Sequence, residues 1–555
     1  MAWLSQNSND LFSHYGVVII GSGYGGAIAA SLLSREGYQV CVLERGREVV
    51  PGEYPNTTKK FLKEVQLTLR SGHYGHSTGL FNIHCNKDMN IVMGCGLGGS
   101  SLIDAGLCNR PDPTVFQDLI WPEAIQNKDS MEQYYQRAEE MLRPSYSSSM
   151  YPSFTKFNEV ERVVNKIPLS VKNSHASVLI NFNPLQNGLN QVGVKQNLCT
   201  YCGDCLTGCN YSAKNTLLMN YLPDAKRHGA QLFTHTDVDH IAQDGSQWKV
   251  FLKNNKKNKG QELDRIIKAN IVIIAAGSLG TTEILLRSTQ KGLSLSPTLG
   301  KRFSGNGNMI GLAFNTDVPM NAVGCRPLPI NSKDRVGYCS TGFVDLRDKR
   351  DLQNGITLSD VSIPSAVSKW LPVLLSSMVK KMGNKKNSDV REASRIIQSK
   401  ICGAYRGAVY HTQMLLSIAH DNSGGRLMLE KDRVNLFWPG VSRQPEFYRA
   451  NELMQQMTEY WGGTYIANPI WDEVLGHGYF TWNPLGGAVM ADDAQDGVVN
   501  HKGQVYSSDH GLAVHEGLYV MDGSVIPRSL GVGPLLTIAA LTERSCEYLR
   551  RSKKS

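Results

Sequence analysis

The chain has 555 residues, 41% of them hydrophobic and 19% charged, with a formal net charge of +9. That length exceeds the roughly 250 to 300 residues at which single cores stop growing, so two or more packed units are expected, with room for a large cleft between them. The composition excludes a disordered chain, no apolar run approaches the roughly 20 residues that cross a membrane, and no recognition motif accompanies the positive charge, so nucleic acid is not an expected partner.

In chain order, residues 1–15 carry Asn and Ser where a secretory leader has a basic start and an apolar centre, which predicts a soluble, cytoplasmic enzyme. Val17 to Ile20 is a β-branched run that stops at Gly21-Ser22-Gly23-Tyr24-Gly25-Gly26, and strong helix formers follow from Ala27 to Glu36. Strand, glycine-rich turn and helix in this order predict a dinucleotide site. Gly21 permits the tight turn, Gly23 lets the backbone approach a pyrophosphate, and Gly26 lets helix and strand pack closely. Free N–H groups at the helix start face the anion. Gly37 then stops the helix, and a second strand, Gln39 to Leu43, ends at Glu44, placed to accept hydrogen bonds from ribose hydroxyls. The turn by itself leaves FAD and NAD equally open.

A second glycine-rich stretch, Gly94 to Ile103, is too distant along the chain to be expected at the same phosphates, and a helical insertion is expected near residues 115–195. Next comes Cys199-x2-Cys202-x2-Cys205-x3-Cys209, the spacing of bacterial ferredoxins. Twelve cysteines in a chain without an export signal are expected to stay thiols or serve as ligands. Three readings stand open for the run: an iron–sulfur cluster on Cys199, Cys202, Cys205 and Cys209, a buried structural loop of thiols, or zinc. No Pro follows Cys209 and no second run exists, so one loop would supply every ligand. The basic clusters Lys253 to Lys259 and Lys380 to Lys386 read as solvated surface.

Ile271 to Ile274 is a further apolar strand running into Ala275-Ala276-Gly277-Ser278-Leu279-Gly280-Thr281, and Leu299 to Gly307 is rich in turn residues. Between Lys369 and Met382, Trp370, Leu371, Leu374, Leu375, Met378 and Met382 share one helical face, with Pro372 tolerated in the first turn. That helix reads either as core-facing or as a lid that touches a membrane surface transiently. Gln413 to Ala419, Gly425 to Glu430 and Arg433 to Trp438 read as short strands, and Arg449 to Trp461 has helical spacing. Near the end lie Thr481-Trp482-Asn483-Pro484-Leu485-Gly486-Gly487, Gly517 to Pro527, and a helix from Gly531 to Leu541.

Five of these blocks, at residues 17–44, 94–103, 271–281, 299–307 and 517–541, resemble in sequence and order the signatures of the glucose-methanol-choline (GMC) family of FAD oxidoreductases. Within it the likeness is to the cholesterol-oxidase-like branch, carried by Lys301 to Gly307, the C-terminal block and the cysteine run. The resemblance implies an α/β fold: a discontinuous Rossmann-type FAD-binding domain, residues 1–308 and 475–555, and an α+β substrate domain with an antiparallel sheet, residues 309–474. It implies FAD held by Gly21, Gly23, Gly26, Glu44, Gly94, Gly96, Gly98, Gly99, Ser100, Val238, Ala276, Gly277, Asp522, Gly523 and Thr537. The implied activity is oxidation of a secondary alcohol on a small hydrophobic, sterol-like substrate, with oxygen or a redox protein accepting the electrons.

The catalytic positions depart from the family. The His that precedes Pro-Leu-Gly-Gly is Asn483 here, and the second polar position, after Gly-Val, falls on Gly533. Asp104 stands where relatives more often have Asn. An amide orients a hydroxyl but does not accept a proton at neutral pH. His477, six residues before Asn483, is a candidate replacement base, and Asp104 and Glu473 are within reach of the cavity on this reading. Three outcomes follow: alcohol oxidation with Asn483 orienting the oxygen, a flavin-dependent isomerisation or other altered chemistry, or a homologue that binds FAD without turnover.

Overall fold

The computed structural model describes residues 3–127, 130–145, 154–166, 172–253, 265–325, 332, 334–347, 351–381, 390–468 and 479–552. The opening β-branched run forms the strand His14–Ile20 inside an eight-stranded sheet. It pairs in parallel with Val40–Leu43 and with Ile266–Ile274, so that Ile20 lies opposite both Leu43 and Ile274. Gln231–Phe233 and Val514–Val520 extend the parallel core on either side. Val17, Val18 and Ile19 are fully buried. A strand covered on both faces reads as an unbroken apolar run rather than an alternation. The helix Tyr24–Arg35 packs on this sheet and against helices Tyr221–Arg227 and Leu535–Ser552.

Because the core strands are parallel, their carboxyl ends share one edge, and ligands of open α/β sheets bind in the crevice outside that edge. Gly21, Glu44, Ala275 and Asp522 all follow strands of this set and all line one cleft.

The second sheet is antiparallel. It comprises Met309–Phe314, Gly342–Asp345, Ile356–Val361, Gln413–Ala419 and Thr464–Ala467, with Lys172–His175 as an edge strand. The helix Pro445–Tyr460 covers one face through Phe447, Ala450, Met454 and Met457. Gln413–Ala419 is buried along its whole length, with alternate residues serving different neighbours. Leu415 and Ala419 join the core under that helix, while Leu416 and Ile418 face the cleft.

The strands Arg426–Glu430 and Arg433–Phe437 form a separate ribbon. Its two-residue turn, Lys431-Asp432, has both φ angles positive, 48° and 61°, the requirement of a type I′ hairpin. A third sheet holds Val65–Leu69, Gly72–Tyr74, Phe81–His84 and Met89–Gly94, and the late strand Tyr479–Thr481 joins it in parallel beside Met89–Gly94. That pairing carries Asn483 from the end of the chain to the second glycine-rich stretch.

Two readings of helices need correction. The first helix begins at Tyr24, inside the glycine run, because Gly25 and Gly26 are helical here despite poor intrinsic propensity. The helix Leu371–Lys381 does not present one apolar face: Leu371 and Leu375 are buried, but Trp370, Val373 and Leu374 are exposed. Met382 lies outside the described residues. No helix among the described residues is long and apolar enough to cross a membrane.

Candidate active site

The cleft at the strand ends has a volume of about 530 Å³. Its glycine turn is shaped by contacts that no side chain survives. A Cβ on Gly21, whose φ is 98°, would lie 2.4 Å from the Ala275 carbonyl oxygen, and one on Gly26 would lie 2.0 Å from that of Gly21. The tightest approach, absent from the sequence reading, is at Gly25, where a Cβ would come within 1.5 Å of the Met521 carbonyl oxygen. At Gly23 a Cβ would meet nothing within 4 Å. Gly23 therefore faces open cleft, directly before the N-terminus of the helix Tyr24–Arg35, an arrangement suited to a pyrophosphate.

Glu44 is buried at the end of its strand and ties the turn together. Its Oε2 accepts from the Ser22 N–H (3.2 Å) and hydroxyl (2.6 Å), and its Oε1 from the Gly46 N–H (2.7 Å). Burial raises the carboxyl above its ordinary range, opposed by the Ser22 and Gly46 hydrogen bonds and by Arg45. Oε1, with a single partner, keeps acceptor capacity for a ribose hydroxyl. Asp522 is differently employed. It takes the Gly277 N–H (2.9 Å) and Thr281 hydroxyl (2.5 Å) on one oxygen and the Ser524 N–H (2.8 Å) and hydroxyl (2.5 Å) on the other. With those four donors satisfied, its part is to clamp the Ala276-Gly277 turn onto the cleft wall beside Gly523.

The two glycine-rich stretches are in contact, contrary to the separation expected from their distance along the chain. The Gly98 N–H donates to Ser22 Oγ (3.0 Å), and a Cβ on Gly99 would stand 2.9 Å from the Gly23 Cα. The third sheet returns Met89–Gly94 to the first turn, a fold-back that leaves no local pattern. Gly94, Gly99, Ser100, Val238, Ala276 and Gly277 line the cleft. Gly26, Gly96, Gly98 and Thr537 build its walls instead. Gly26 abuts Gly21, the Gly96 carbonyl accepts from Ser22 (3.4 Å), and the fully buried Thr537 is bonded to the Tyr135 hydroxyl (2.9 Å), next to Ile538, which does line the cleft.

Asn483 follows the strand Tyr479–Thr481, and its N–H donates to Thr481 Oγ1 (2.9 Å). It lines the cleft between Trp482 and Pro484, with Met93, Leu107, Leu416 and Ile418 supplying apolar wall. Gly533 lines the same space, and a Cβ there would find only the Leu107 carbonyl oxygen, at 3.4 Å. Asp104 is bound on all sides: it accepts from the Tyr24 hydroxyl (2.8 Å) and pairs with Lys214 (2.9 Å), which is 2% exposed and also donates to the Asp104 carbonyl (2.6 Å). The acid at this position is thus answered by a buried cation from the cysteine loop, a partner that sequence reasoning missed and that no local signal marks.

His477 and Glu473 lie outside the described residues. Among the described residues that line the cleft, the histidines are His73 and His84. Burial, with Arg45 nearby, lowers both, His84 to about 3, which keeps the His84 imidazole neutral. His84 Nδ1 and Asn82 Oδ1 are buried without a hydrogen-bond partner. The alternation in Phe81-Asn82-Ile83-His84 was the available signal for that strand.

Cys199, Cys202, Cys205 and Cys209 converge on one small cavity of about 20 Å³ beside Lys214 and Tyr338. The Tyr201 N–H donates to Cys199 Sγ and the Ala213 N–H to Cys209 Sγ, both at 3.4 Å. Burial pushes the Cys205 thiol up to about 11 against the pull of Lys214. Among the described residues, no group of three or more His, Cys, Asp or Glu is spaced to hold a metal ion. The thiols as placed do not fit one.

The GMC oxidoreductase family profile matches residues 22–305, and its C-terminal counterpart matches residues 442–542. The chain belongs to the GMC oxidoreductase family. This GMC oxidoreductase is similar over 96% of its length to cholesterol oxidases of Acinetobacter baumannii, at 25% identity over 94% of that protein, and of Mycobacterium tuberculosis, at 27% identity over 90%. A long-chain-alcohol oxidase of Arabidopsis thaliana is 23% identical over 94% of this chain and 65% of its own. Pyridoxine 4-oxidase from Mesorbium loti shares the fold at a TM-score of 0.61 and 14% identity, covering 97% of this chain and 99% of that one.

GMC oxidoreductases bind FAD, and this cleft fits it. The open backbone at Gly23, the acceptor on Glu44 and the unpartnered Asn82 and His84 atoms all face a space of the size that cofactors occupy. The protein is an FAD-dependent oxidoreductase acting on an alcohol-type substrate.

Proposed function

We propose that this GMC oxidoreductase oxidises a secondary alcohol on a hydrophobic, sterol-like molecule, with oxygen as the electron acceptor. The observation that carries the reading is the apolar strand face, Leu416 and Ile418, meeting Asn483 and the second glycine-rich stretch in one cleft. Bound FAD supplies the hydride acceptor. The Asn483 amide orients the alcohol oxygen, while Leu107, Leu416, Ile418 and Trp482 exclude water from an apolar ring system. Among the described residues Asn483 does not take the hydroxyl proton and Asp104 is paired with Lys214, so the proton acceptor is left to His477, Glu473 or a water at the cleft mouth. The likeness to cholesterol oxidases and to a long-chain-alcohol oxidase supports a hydrophobic alcohol.

Anaerobic titration with a sterol and with a long-chain alcohol, read at the flavin band near about 450 nm, tests this. Bleaching by the sterol is expected in the wild type and faster in Asn483→His. If neither alcohol bleaches either protein, alcohol oxidation is wrong, and the absence of a base at Asn483 and of a polar side chain at Gly533 then favours altered flavin chemistry or binding without turnover. The cysteine loop is structural on this reading, packing Lys214 against Asp104. Anaerobically purified protein should carry neither iron nor zinc, and stoichiometric iron with acid-labile sulfide would overturn that role.

A further inference from the structure

The helices Leu371–Lys381 and Val390–Cys402 pack against each other, and both expose apolar side chains. On the first, Trp370, Val373 and Leu374 follow i, i+3, i+4 spacing on the side opposite the buried Leu371 and Leu375, and Val373 is 67% exposed. On the second, Val390, Ile397 and Ile401 recur at spacings of seven and four, and are 83%, 57% and 79% exposed. Scattered exposed apolar residues are ordinary, but six at helical spacing on two packed helices and the residue just before the first are not.

The charge around them is equally uneven. Residues 369–381 and 390–406 contain seven Lys and Arg against one acidic residue, Glu392, a net +6 out of the chain's formal charge of +9. Exposed apolar side chains, a tryptophan and a basic surround are the makings of an interfacial segment that lies in the headgroup region of an anionic bilayer. The turn Ser365–Val367, just before the first helix, packs on the helix Thr58–Glu64, where the Thr58 hydroxyl donates to the Ala366 carbonyl (2.9 Å). That helix runs straight into Val65–Leu69, whose Thr68 lines the cleft.

We infer that this helix pair docks the enzyme on an anionic lipid surface, seating Trp370, Val373, Leu374 and Ile401 among the acyl chains and the basic side chains over the headgroups. The inference stands beside the alcohol reading rather than on it, because binding is read without turnover.

The test is co-sedimentation of the full-length, FAD-loaded chain with vesicles of phosphatidylcholine, with and without phosphatidylglycerol. Wild type should partition to the anionic vesicles at least about tenfold more strongly than to the neutral ones, and lose most of that preference between about 0.05 and 0.5 M salt. The double variant Val373→Asp, Ile401→Asp should weaken partitioning by about tenfold or more with the flavin band unchanged. Should that variant lose its flavin, Lys380→Gln with Lys400→Gln, both exposed, carries the test, at about fivefold per lysine. Equal pelleting with both vesicle types, or unchanged binding by the variants, overturns the inference. So does a wild-type dimer that the Asp variant converts to monomer without any lipid binding, which would assign the face to a second copy of the chain.

Discussion

Gly23 and Gly25 stand two residues apart in one motif and do different work. A methyl group at Gly25 would collide with the Met521 carbonyl, which is backbone and does not yield, whereas one at Gly23 would enter empty cleft. Gly25→Ala should therefore destabilise the fold itself by about 3 kcal/mol or more, as overpacking against backbone does. Gly23→Ala should leave the thermal midpoint of the apoprotein unchanged while weakening FAD binding, because the methyl takes the space of the pyrophosphate. Thermal melts of both apoproteins with FAD titrations separate the two roles, and equal loss of stability would show that Gly23 is structural as well. At the reacting end, Asn483→His supplies a base of ordinary pKa, about 6.5. Its kcat/KM should rise by about 10²- to 10⁴-fold, with a limb that climbs through that pKa as the imidazole deprotonates. The wild-type profile should lack this limb. Gly533 leaves space for a Cβ, whose nearest neighbour would be the Leu107 carbonyl oxygen at 3.4 Å, so Gly533→Ala is sterically allowed.

At the scale of elements, Glu446 stands in the first turn of the helix Pro445–Tyr460 with its carboxyl buried. It is 6% exposed, its Oε1 has no hydrogen-bond partner, and burial raises its pKa from 4.5 to about 7, with Asp421 adding to the effect. A carboxyl whose folded pKa is raised contributes stability that is fully present below its unfolded value and is lost as pH rises through the folded one. Wild type should thus lose about 2 kcal/mol between pH ~5 and ~8 that Glu446→Gln does not lose. Melting curves of both proteins across that range check it, and parallel pH dependence would remove Glu446 as the cause. Elements of this kind were legible in the sequence where burial writes a local pattern. The strands Gln413–Ala419 and Arg433–Phe437 were readable as short runs rich in apolar residues and bounded by turns. The glycine helix start at Tyr24 was not, because tertiary contact with Met521 and Ala275 overrides propensity. Nor was the pairing of Lys172–His175 with Gly342–Asp345, or of Tyr479–Thr481 with Met89–Gly94, since such register is set by partners far along the chain. The same holds in the site. Glycines and Glu44 announce a nucleotide cleft through motif spacing, whereas the Asp104, Tyr24 and Lys214 cluster exists only once three distant segments meet.

At the scale of the whole molecule, one cleft is walled by segments of all three sheets. Its floor comes from the carboxyl ends of the parallel strands, one side from Thr68, Asn82, His84 and Gly94, and another from Leu416 and Ile418. These walls meet with two buried polar atoms, on Asn82 and His84, unpartnered, and each buried polar atom without a partner costs about 1–3 kcal/mol. A ligand that satisfies them stabilises the assembled protein and has no counterpart in the unfolded chain. FAD at about 100 times its dissociation constant should then add about 2.7 kcal/mol. For a chain of this size the shift in thermal midpoint is a few degrees, and it should grow with the logarithm of FAD concentration. Asn82→Leu and His84→Leu, made together, should flatten that dependence and hold the apoprotein at or above wild-type stability, because apolar groups replace atoms that have no partner without FAD. Calorimetry across a series of FAD concentrations reads both effects. If the paired substitution lowers apoprotein stability and leaves the FAD dependence intact, the unpartnered atoms face something other than the cofactor. The shared wall would then owe its geometry to packing alone.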